Sequence, residues 1–240
     1  MAGDQAMSKT GILYGVGVGP GDPELMTVKA WRLISSAGTI AYLSANGSDS
    51  TARAIASPFI DPDTDEIIID MPMRVERAPA QAAYADAARR IAARLVDGED
   101  VVMLCEGDPF FYGSFMYVFE RLSETFKCVV VPGVTSISAA SAAIGHPLVA
   151  RDEVLKVLPA TMDADHLLAE LSTTSAAAII KVGRHFGKVK SILSRLNLVY
   201  DATAITRATH SDQTVRSVAE IDEDSLPYFT TIIVRQAAKR

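Results

Sequence analysis

The chain has 240 residues, 49% of them hydrophobic and 22% charged, which suits one large globular domain or two smaller ones with a buried core. Its net charge of −6 argues against a general nucleic-acid or membrane-surface binder, although a local basic cluster can still bind a small anion. No apolar run has the length of a membrane span and the first ten residues lack the apolar core of a signal peptide, so we expect a cytoplasmic enzyme.

Residues 11–18 predict a first β-strand, followed by a turn rich in Gly and Pro at 19–24 and a helix over 27–36. The glycines do not have the G-x-G-x-x-G spacing of a dinucleotide site, because Pro20 and Glu24 occupy the required third positions. The next strand, 38–43, also lacks an acidic residue at its end. This excludes a Rossmann oxidoreductase and leaves two interpretations open, a ligand-binding turn and a purely geometric one.

Two apolar runs in the middle of the chain, 101–105 and 128–131, predict buried parallel strands. The first ends in Glu106-Gly107-Asp108-Pro109, and the second ends in Pro132-Gly133 before a helix that opens with Thr135 and Ser136. Ligands of open α/β sheets bind outside the carboxyl ends of the strands. We therefore expect these strands to be neighbours and their two turns to form one ligand site.

The cysteines, Cys105 and Cys128, lie in these apolar runs, which predicts small buried side chains and neither a disulfide nor a metal ligand. Because the sequence has no Cys/His cluster, we expect no metal site. After residue 158 the strand–helix pattern starts again, and the last strands predict a mixed sheet. We expect an α/β fold of two unequal lobes, 1–158 and 159–240, with a ligand in the cleft between them.

Four segments together carry a family resemblance: GVGVGPGDPELMT at 15–27, CEGDPFFYGS at 105–114, VPGVTS at 131–136 and GHPLVARDE at 145–153. In this order and spacing they are similar to those of the tetrapyrrole (corrin and porphyrin) methyltransferases. The longer segments EGDPFFYGSFMY and RDEVLKVLPAT resemble the branch of the family that methylates precorrin-2 at C20, in cobalamin synthesis.

The resemblance implies S-adenosylmethionine (SAM) as cofactor, bound between the lobes, S-adenosylhomocysteine as its product, and a homodimer. It carries the cofactor contacts over to Pro20, Gly107, Asp108, Phe111, Thr135, Ser136, Val182, Thr230 and Thr231. Main-chain groups at such turns can hydrogen-bond a cofactor that approaches closely where glycine has no side chain.

Methyl transfer at C20 requires orientation of the reactants and one weak base for the departing proton. Glu106 and Tyr112 are the candidates, with turn capping and aromatic packing as the alternative roles. The expected substrate has eight carboxylates, which need basic partners. Loops at predicted strand ends supply Arg53, Arg74, Arg77 and Arg151, a second cluster has Lys181, Arg184 and Lys188, and Arg53 and Arg151 are the preferred candidates.

Other functions remain open at this stage. The same fold can act on cobalt-precorrin-2, on another tetrapyrrole, on a diphthamide precursor or on ribosomal RNA, although the acidic net charge argues against RNA. A hypothesis of a different class is a non-catalytic sensor that binds SAM or a tetrapyrrole. The intact turns and the absence of an added effector segment in the sequence argue against it.

Overall fold

A computed structural model describes residues 10–45, 47–72 and 77–235, which fold into two compact units, Met1–Thr135 and Ser136–Arg240. Each unit contains a five-stranded sheet with helices, so the α/β class is confirmed. The structure divides the chain earlier than the predicted boundary at 158/159. The reason is pairing: the strand Leu155–Pro159 forms a parallel ladder with Ala176–Ile180, so it belongs to the second sheet.

The first sheet is entirely parallel. Its strands are β1 (Leu13–Gly17), β2 (Thr39–Ala45), β3 (Asp65–Met71), β4 (Val101–Cys105) and β5 (Cys128–Val131). They lie in the order β3-β2-β4-β1-β5. The expectation that β4 and β5 are neighbours is therefore wrong, because β1 lies between them and pairs with both.

Helices cover both faces of this sheet: α1 (Val28–Ser35), α2 (Thr51–Ala56), α3 (Arg77–Val96) and α4 (Phe115–Leu122). The apolar faces of α3 and α4 pack on one side, and those of α1 and α2 on the other. Phe115 of α4 is fully buried, and its ring occupies the place of a side chain at Gly15, where an added Cβ would lie 2.4 Å from the ring. Gly15 thus lets α4 approach β1 closely.

The second sheet is mixed, as predicted: β6 (Leu155–Pro159), β7 (Ala176–Ile180), β8 (Ala202–Thr206), β9 (Thr214–Ser217) and β10 (Thr230–Arg235). In the order β6-β7-β10-β8-β9, the pair of β6 and β7 is parallel and the other pairs are antiparallel. The helices are α5 (Ser136–Ile144), α6 (Ala164–Ser172) and α7 (Phe186–Arg195). α5 packs on β10 and β8, while α6 and α7 contribute to the core of the unit.

Two properties of the described residues bear on function. No helix among them is both long enough and apolar enough to span a membrane. The same residues contain no group of three or more His, Cys, Asp or Glu side chains arranged to hold a metal ion. Both cysteines are free thiols; Cys105 is buried and Cys128 is partly exposed.

Candidate active site

The carboxyl ends of β1 and β4 continue into two turns that are joined by main-chain hydrogen bonds. Val18 N–H donates to the carbonyl of Cys105 over 2.9 Å, and Gly107 N–H donates to the carbonyl of Gly19 over 2.8 Å. Gly19 and Gly107 form an isolated antiparallel bridge. The first predicted turn, which contains Pro20, therefore lies directly against the second.

The turn after β5 contacts the other two turns at the carboxyl end of β1, where Gly17, Gly107 and Gly133 pack against one another. A Cβ at Gly17 would lie 2.5 Å from the Gly107 carbonyl oxygen, and a Cβ at Gly133 would lie 2.0 Å from the same atom. No side chain fits in either place without moving main chain. The glycines thus allow the β4 and β5 turns to touch across β1, although the strands themselves are not neighbours. The turns expected from the sequence to form one site therefore do meet, although by a different route.

Gly107 differs from these two glycines. Its φ is +63°, and an added Cβ would have only Val134 O at 3.8 Å and Thr135 Cα at 3.9 Å as neighbours. The conformation favours glycine, and a Cβ would meet these two main-chain atoms only at ordinary van der Waals distance. Main chain at Gly107 is therefore accessible to a ligand, with Thr135 beside it.

The Asp108 carboxylate holds this edge together. One oxygen accepts from Phe110 N–H at 2.9 Å and the other accepts from Gly133 N–H at 3.1 Å, so the side chain bridges the β4 and β5 turns. Phe111 N–H donates to the Asp108 carbonyl at 3.4 Å. Asp108 and Phe111, both predicted as cofactor contacts, thus shape the turn.

Glu106 directly follows the last residue of β4; the residue as a whole is partly exposed, but its carboxyl group is enclosed by protein. Its Oε1 accepts a hydrogen bond of 3.2 Å from Ala52 N–H in the first turn of α2. Burial raises the pKa of Glu106, and the hydrogen bond from Ala52 opposes that rise. The structure thus places a carboxyl group of increased basicity at the carboxyl edge of the sheet.

Sequence reasoning missed the support that α2 gives to Glu106. Ser50, which is buried, caps α2 through its hydroxyl, which accepts from Arg53 N–H at 3.3 Å. A serine followed by an Ala-rich segment is a recognisable helix start. The hydrogen bond from Ala52 to Glu106, in contrast, joins residues 54 positions apart in the chain, and no local sequence pattern reveals it.

Tyr112 lies in the same β4 turn and is 43% exposed. Its φ is +56°, a left-handed conformation that a bulky side chain rarely adopts. The ring stands edge-on to that of Phe111, with centroids 5.3 Å apart and an interplanar angle of 87°. Exposure and an unusual main chain mark Tyr112 as a candidate for function.

Of the two preferred substrate arginines, Arg53 is already paired. Its Nη2 lies 2.9 Å from Glu66 Oε1, and the Tyr42 hydroxyl donates to the other oxygen of that carboxylate. Glu66 pairs with Ile40 near the amino end of β3, away from the edge that carries Gly107. To bind a substrate carboxylate at that edge, Arg53 would have to leave Glu66.

The other predicted basic residues differ in their surroundings. Arg151 is exposed in a turn of the second unit with a φ of +53°. Lys188 donates to the carbonyl of Met162, while Lys181 and Arg184 are exposed after β7. Arg74 and the side chain of Arg77 lie outside the described residues.

The remaining predicted cofactor residues belong to the second unit, where Ser136 begins α5. Val182 is fully buried after β7, and Thr230 and Thr231 are buried in β10. The Thr230 hydroxyl donates to the Pro227 carbonyl at 2.8 Å, so it accepts from Thr206 across the 2.9 Å that separates the two hydroxyls. The side chains of Val182, Thr230 and Thr231 are thus buried, whereas Ser136 is exposed.

Comparison with known proteins identifies the family. The model of the Tetrapyrrole (Corrin/Porphyrin) Methylases matches residues 12–222. The chain belongs to the tetrapyrrole methylases.

Three curated relatives of this methylase span different lengths. The cobalamin biosynthesis protein CobIJ of Mycobacterium tuberculosis is 45% identical over 98% of the chain, but the chain spans only 48% of that relative. The precorrin-2 C(20)-methyltransferase of a Sinorhizobium species is 37% identical over 95% of the chain and 97% of the relative. The cobalt-precorrin-2 C(20)-methyltransferase of Salmonella typhimurium is 28% identical over 94% and 97%.

Solved structures share the fold of the methylase. A cobalt precorrin-4 methyltransferase, CbiF, superimposes with a TM-score of 0.73 over 93% of this chain and 94% of that one, at 22% identity. A uroporphyrin-III C-methyltransferase from Thermus thermophilus, complexed with S-adenosyl homocysteine, gives a TM-score of 0.67 over 94% and 98%, at 21% identity. At such identity the likeness concerns the fold alone.

Proposed function

We propose that the chain is a SAM-dependent methyltransferase that methylates C20 of precorrin-2 in cobalamin biosynthesis. The observation that carries the proposal is the 37% identity, across almost the full length of both chains, with the Sinorhizobium protein named for this reaction. Family membership over residues 12–222 supports the reaction class. The turns that meet at the carboxyl edge of the first sheet are the place where we propose that the reaction occurs.

The nearest alternative is the same transfer to cobalt-precorrin-2. The relative named for the cobalt substrate is 28% identical, less than the 37% of the relative named for metal-free precorrin-2. This difference favours the metal-free substrate. A non-catalytic sensor of SAM or tetrapyrrole is the alternative of another class, and the relatives named as methyltransferases over almost the whole chain favour catalysis over it.

SAM suits this edge because a Cβ at Gly107 would meet only main chain of the β5 turn, at 3.8 Å or more, so glycine there leaves main chain of two turns within reach of a ligand. The residues proposed to hold it are Pro20, Gly107, Phe111 and Thr135 in the first unit, with Ser136 and the main chain at Val182, Thr230 and Thr231 in the second. Asp108 would act by fixing the turns, since both its oxygens accept main-chain hydrogen bonds. When bound, SAM supplies a methyl group activated by a positively charged sulfur.

The protein's own contribution is orientation and one proton transfer. Correct orientation of the reactants can lower the activation free energy of methyl transfer by about 7–11 kcal/mol, because the reacting atoms must be collinear. Glu106 would accept the proton that leaves C20 after the new C–C bond has formed. Its raised pKa makes the carboxylate a better base, and the hydrogen bond from Ala52 keeps it in place.

The substrate carboxylates require basic partners. Arg151 is proposed as one of them because its side chain is exposed. Arg53 is proposed as a second partner only if the substrate displaces Glu66 from it. A homodimer is proposed from the family resemblance, and a cytoplasmic location from the composition of the sequence.

The test is transfer of a ¹³C-methyl group from SAM, under anaerobic conditions, to precorrin-2 and to cobalt-precorrin-2 in parallel. The proposal predicts label at C20 of precorrin-2 at a rate above that for the cobalt compound, read by NMR and mass spectrometry. Label on a different carbon would keep the family and reject this substrate position. No label on either compound, with SAM bound, would favour the sensor.

A further inference from the structure

The β4 turn holds Tyr112 in an energetically unfavourable conformation. Its φ of +56° lies in the left-handed region, where the Cβ of a non-glycine residue crowds the main chain. A protein retains such a residue where surrounding structure enforces it, and such sites are concentrated where function requires a fixed side-chain direction.

The neighbouring residues show how the conformation is enforced. Asp108 accepts from Phe110 N–H, and the Phe110 ring packs edge-on against Phe119 with centroids 5.1 Å apart. Gly113 is tightly enclosed, because a Cβ there would lie 2.5 Å from the Pro109 carbonyl oxygen. The turn is therefore rigid on both sides of Tyr112.

This rigid turn presents an aromatic ring toward solvent at the edge that carries Gly107. Tyr112 is 43% exposed, although burying a tyrosine ring is normally favourable. Its edge-on contact with Phe111 fixes the ring plane through a side-chain neighbour. An exposed ring with fixed orientation is suited to stack on a planar conjugated ligand.

We propose that Tyr112 positions the substrate by stacking its ring on the conjugated tetrapyrrole, and that its strained main chain sets the ring's direction. This inference rests on the proposed function, because family membership supplies the tetrapyrrole. It assigns Tyr112 a contact through the ring, in place of the acid/base role of the hydroxyl expected from the sequence.

The test measures equilibrium binding of uroporphyrin, a flat tetrapyrrole with eight carboxylates, by absorbance and fluorescence. Tyr112→Gly removes the ring and relieves the positive φ, so the variant should fold with an unchanged or higher Tm. Its dissociation constant for uroporphyrin should increase about 5- to 100-fold, the range typical of one lost aromatic stacking contact. Tyr112→Asn, which also tolerates the left-handed conformation, serves if the glycine variant does not fold.

Three comparisons isolate the ring. Tyr112→Phe keeps the ring and loses the hydroxyl, so it should restore binding to within about twofold of wild type if stacking dominates. Tyr200→Ala removes another exposed tyrosine, beside the amino end of β8, and should leave binding unchanged. Porphobilinogen, a single pyrrole with carboxylates, should bind the wild type and Tyr112→Gly equally, since it lacks the macrocycle.

The outcomes separate this inference from the proposed function. Equal uroporphyrin affinity in the wild type and Tyr112→Gly would overturn the stacking role and leave the proposed function intact. Weakening in Tyr112→Phe as large as in Tyr112→Gly would also overturn it, because the hydroxyl would then be the contact. A wild type that binds no tetrapyrrole would reject the proposed function and the stacking together.

Discussion

Glu106 shows how one residue acquires chemistry from its surroundings. The carboxyl group was a candidate base from its place after a predicted strand, but its raised pKa arises from burial, which only the folded structure reveals. The hydrogen bond from Ala52 adds orientation. Whether Glu106 is a base or a cap for α2 can be decided by substitution.

Glu106→Gln should reduce kcat about 10²- to 10⁴-fold, the usual contribution of a general base. Because burial raises the pKa, wild-type activity should fall with decreasing pH at a pH above the ordinary glutamate value of about 4.3, and this acid limb should vanish in the variant. The measurement is kcat/KM against pH, with Glu120→Gln, an exposed residue of α4, as control. An unchanged rate and profile in Glu106→Gln would assign Glu106 to capping alone.

Arg53 provides a second prediction at this scale. The guanidinium lowers the pKa of Glu66, so the pair stabilises the fold above the unfolded glutamate pKa and this contribution is lost as pH falls through the lower folded value. Arg53→Met should cost less than about 1 kcal/mol at pH 7, since the pair is partly exposed and screened by solvent.

Urea unfolding of wild type and Arg53→Met at pH 7 and pH 3 measures that difference, which should be smaller at pH 3 than at pH 7. The KM for the tetrapyrrole provides the second measurement. An increase in KM of tenfold or more with an unchanged KM for SAM would show that Arg53 leaves Glu66 to bind substrate. An unchanged KM for the tetrapyrrole would show that Arg53 only attaches α2 to β3 through Glu66.

At the scale of elements, the turns after β1, β4 and β5 meet at Gly17, Gly107 and Gly133. From the sequence, glycines in these turns are expected to have a different role, that of admitting a ligand. The family resemblance implies that glycines of these turns let a cofactor approach the main chain, whereas at Gly17 and Gly133 the structure fills that place with the main chain of Gly107. Of these three glycines, Gly107 alone has room for a Cβ. Periodicity identifies strands but not their neighbours, so the position of β1 between β4 and β5 was not predictable.

Gly133→Ala should therefore destabilise the fold by about 1–3 kcal/mol or more, because its Cβ would lie 2.0 Å from a carbonyl oxygen and main chain must shift. Gly38→Ala is the matched control: a Cβ at Gly38 meets no atom within 4 Å, so its effect should stay within about 1 kcal/mol. Chemical denaturation measures both. Equal stability of the two variants would contradict the packed junction.

For the whole molecule, local patterns predicted more than long-range arrangement. The strands Val101–Cys105 and Cys128–Val131 coincide with the predicted runs, since each is a continuous apolar segment. The predicted boundary at 158/159 lies later in the chain than the division after Thr135, because no local sequence feature shows which strand β6 pairs with. Its assignment requires the ladder with β7.

Hydrogen exchange on the full chain tests whether both units contribute to cofactor binding. Saturating S-adenosylhomocysteine should slow exchange in the turns at 106–112 and 132–135, and also at 181–183 and 228–231 of the second unit. Amides at 96–100, beside the amino end of β4, should exchange at the same rate with and without the ligand. Slowing confined to the first unit would contradict the proposed contacts at Val182, Thr230 and Thr231.

That the methyl donor lies over Gly107 is tested most directly by calorimetric titration of Gly107→Asn with SAM. Asn tolerates the φ of +63°, so the variant should fold, while its side chain occupies the place beside Val134 and Thr135 that glycine leaves to a ligand. Gly98→Asn, with a φ of +85° near the amino end of β4, carries comparable strain away from the edge. SAM affinity should fall at least tenfold in Gly107→Asn and stay unchanged in Gly98→Asn. Wild-type affinity in a folded Gly107→Asn would place the donor elsewhere.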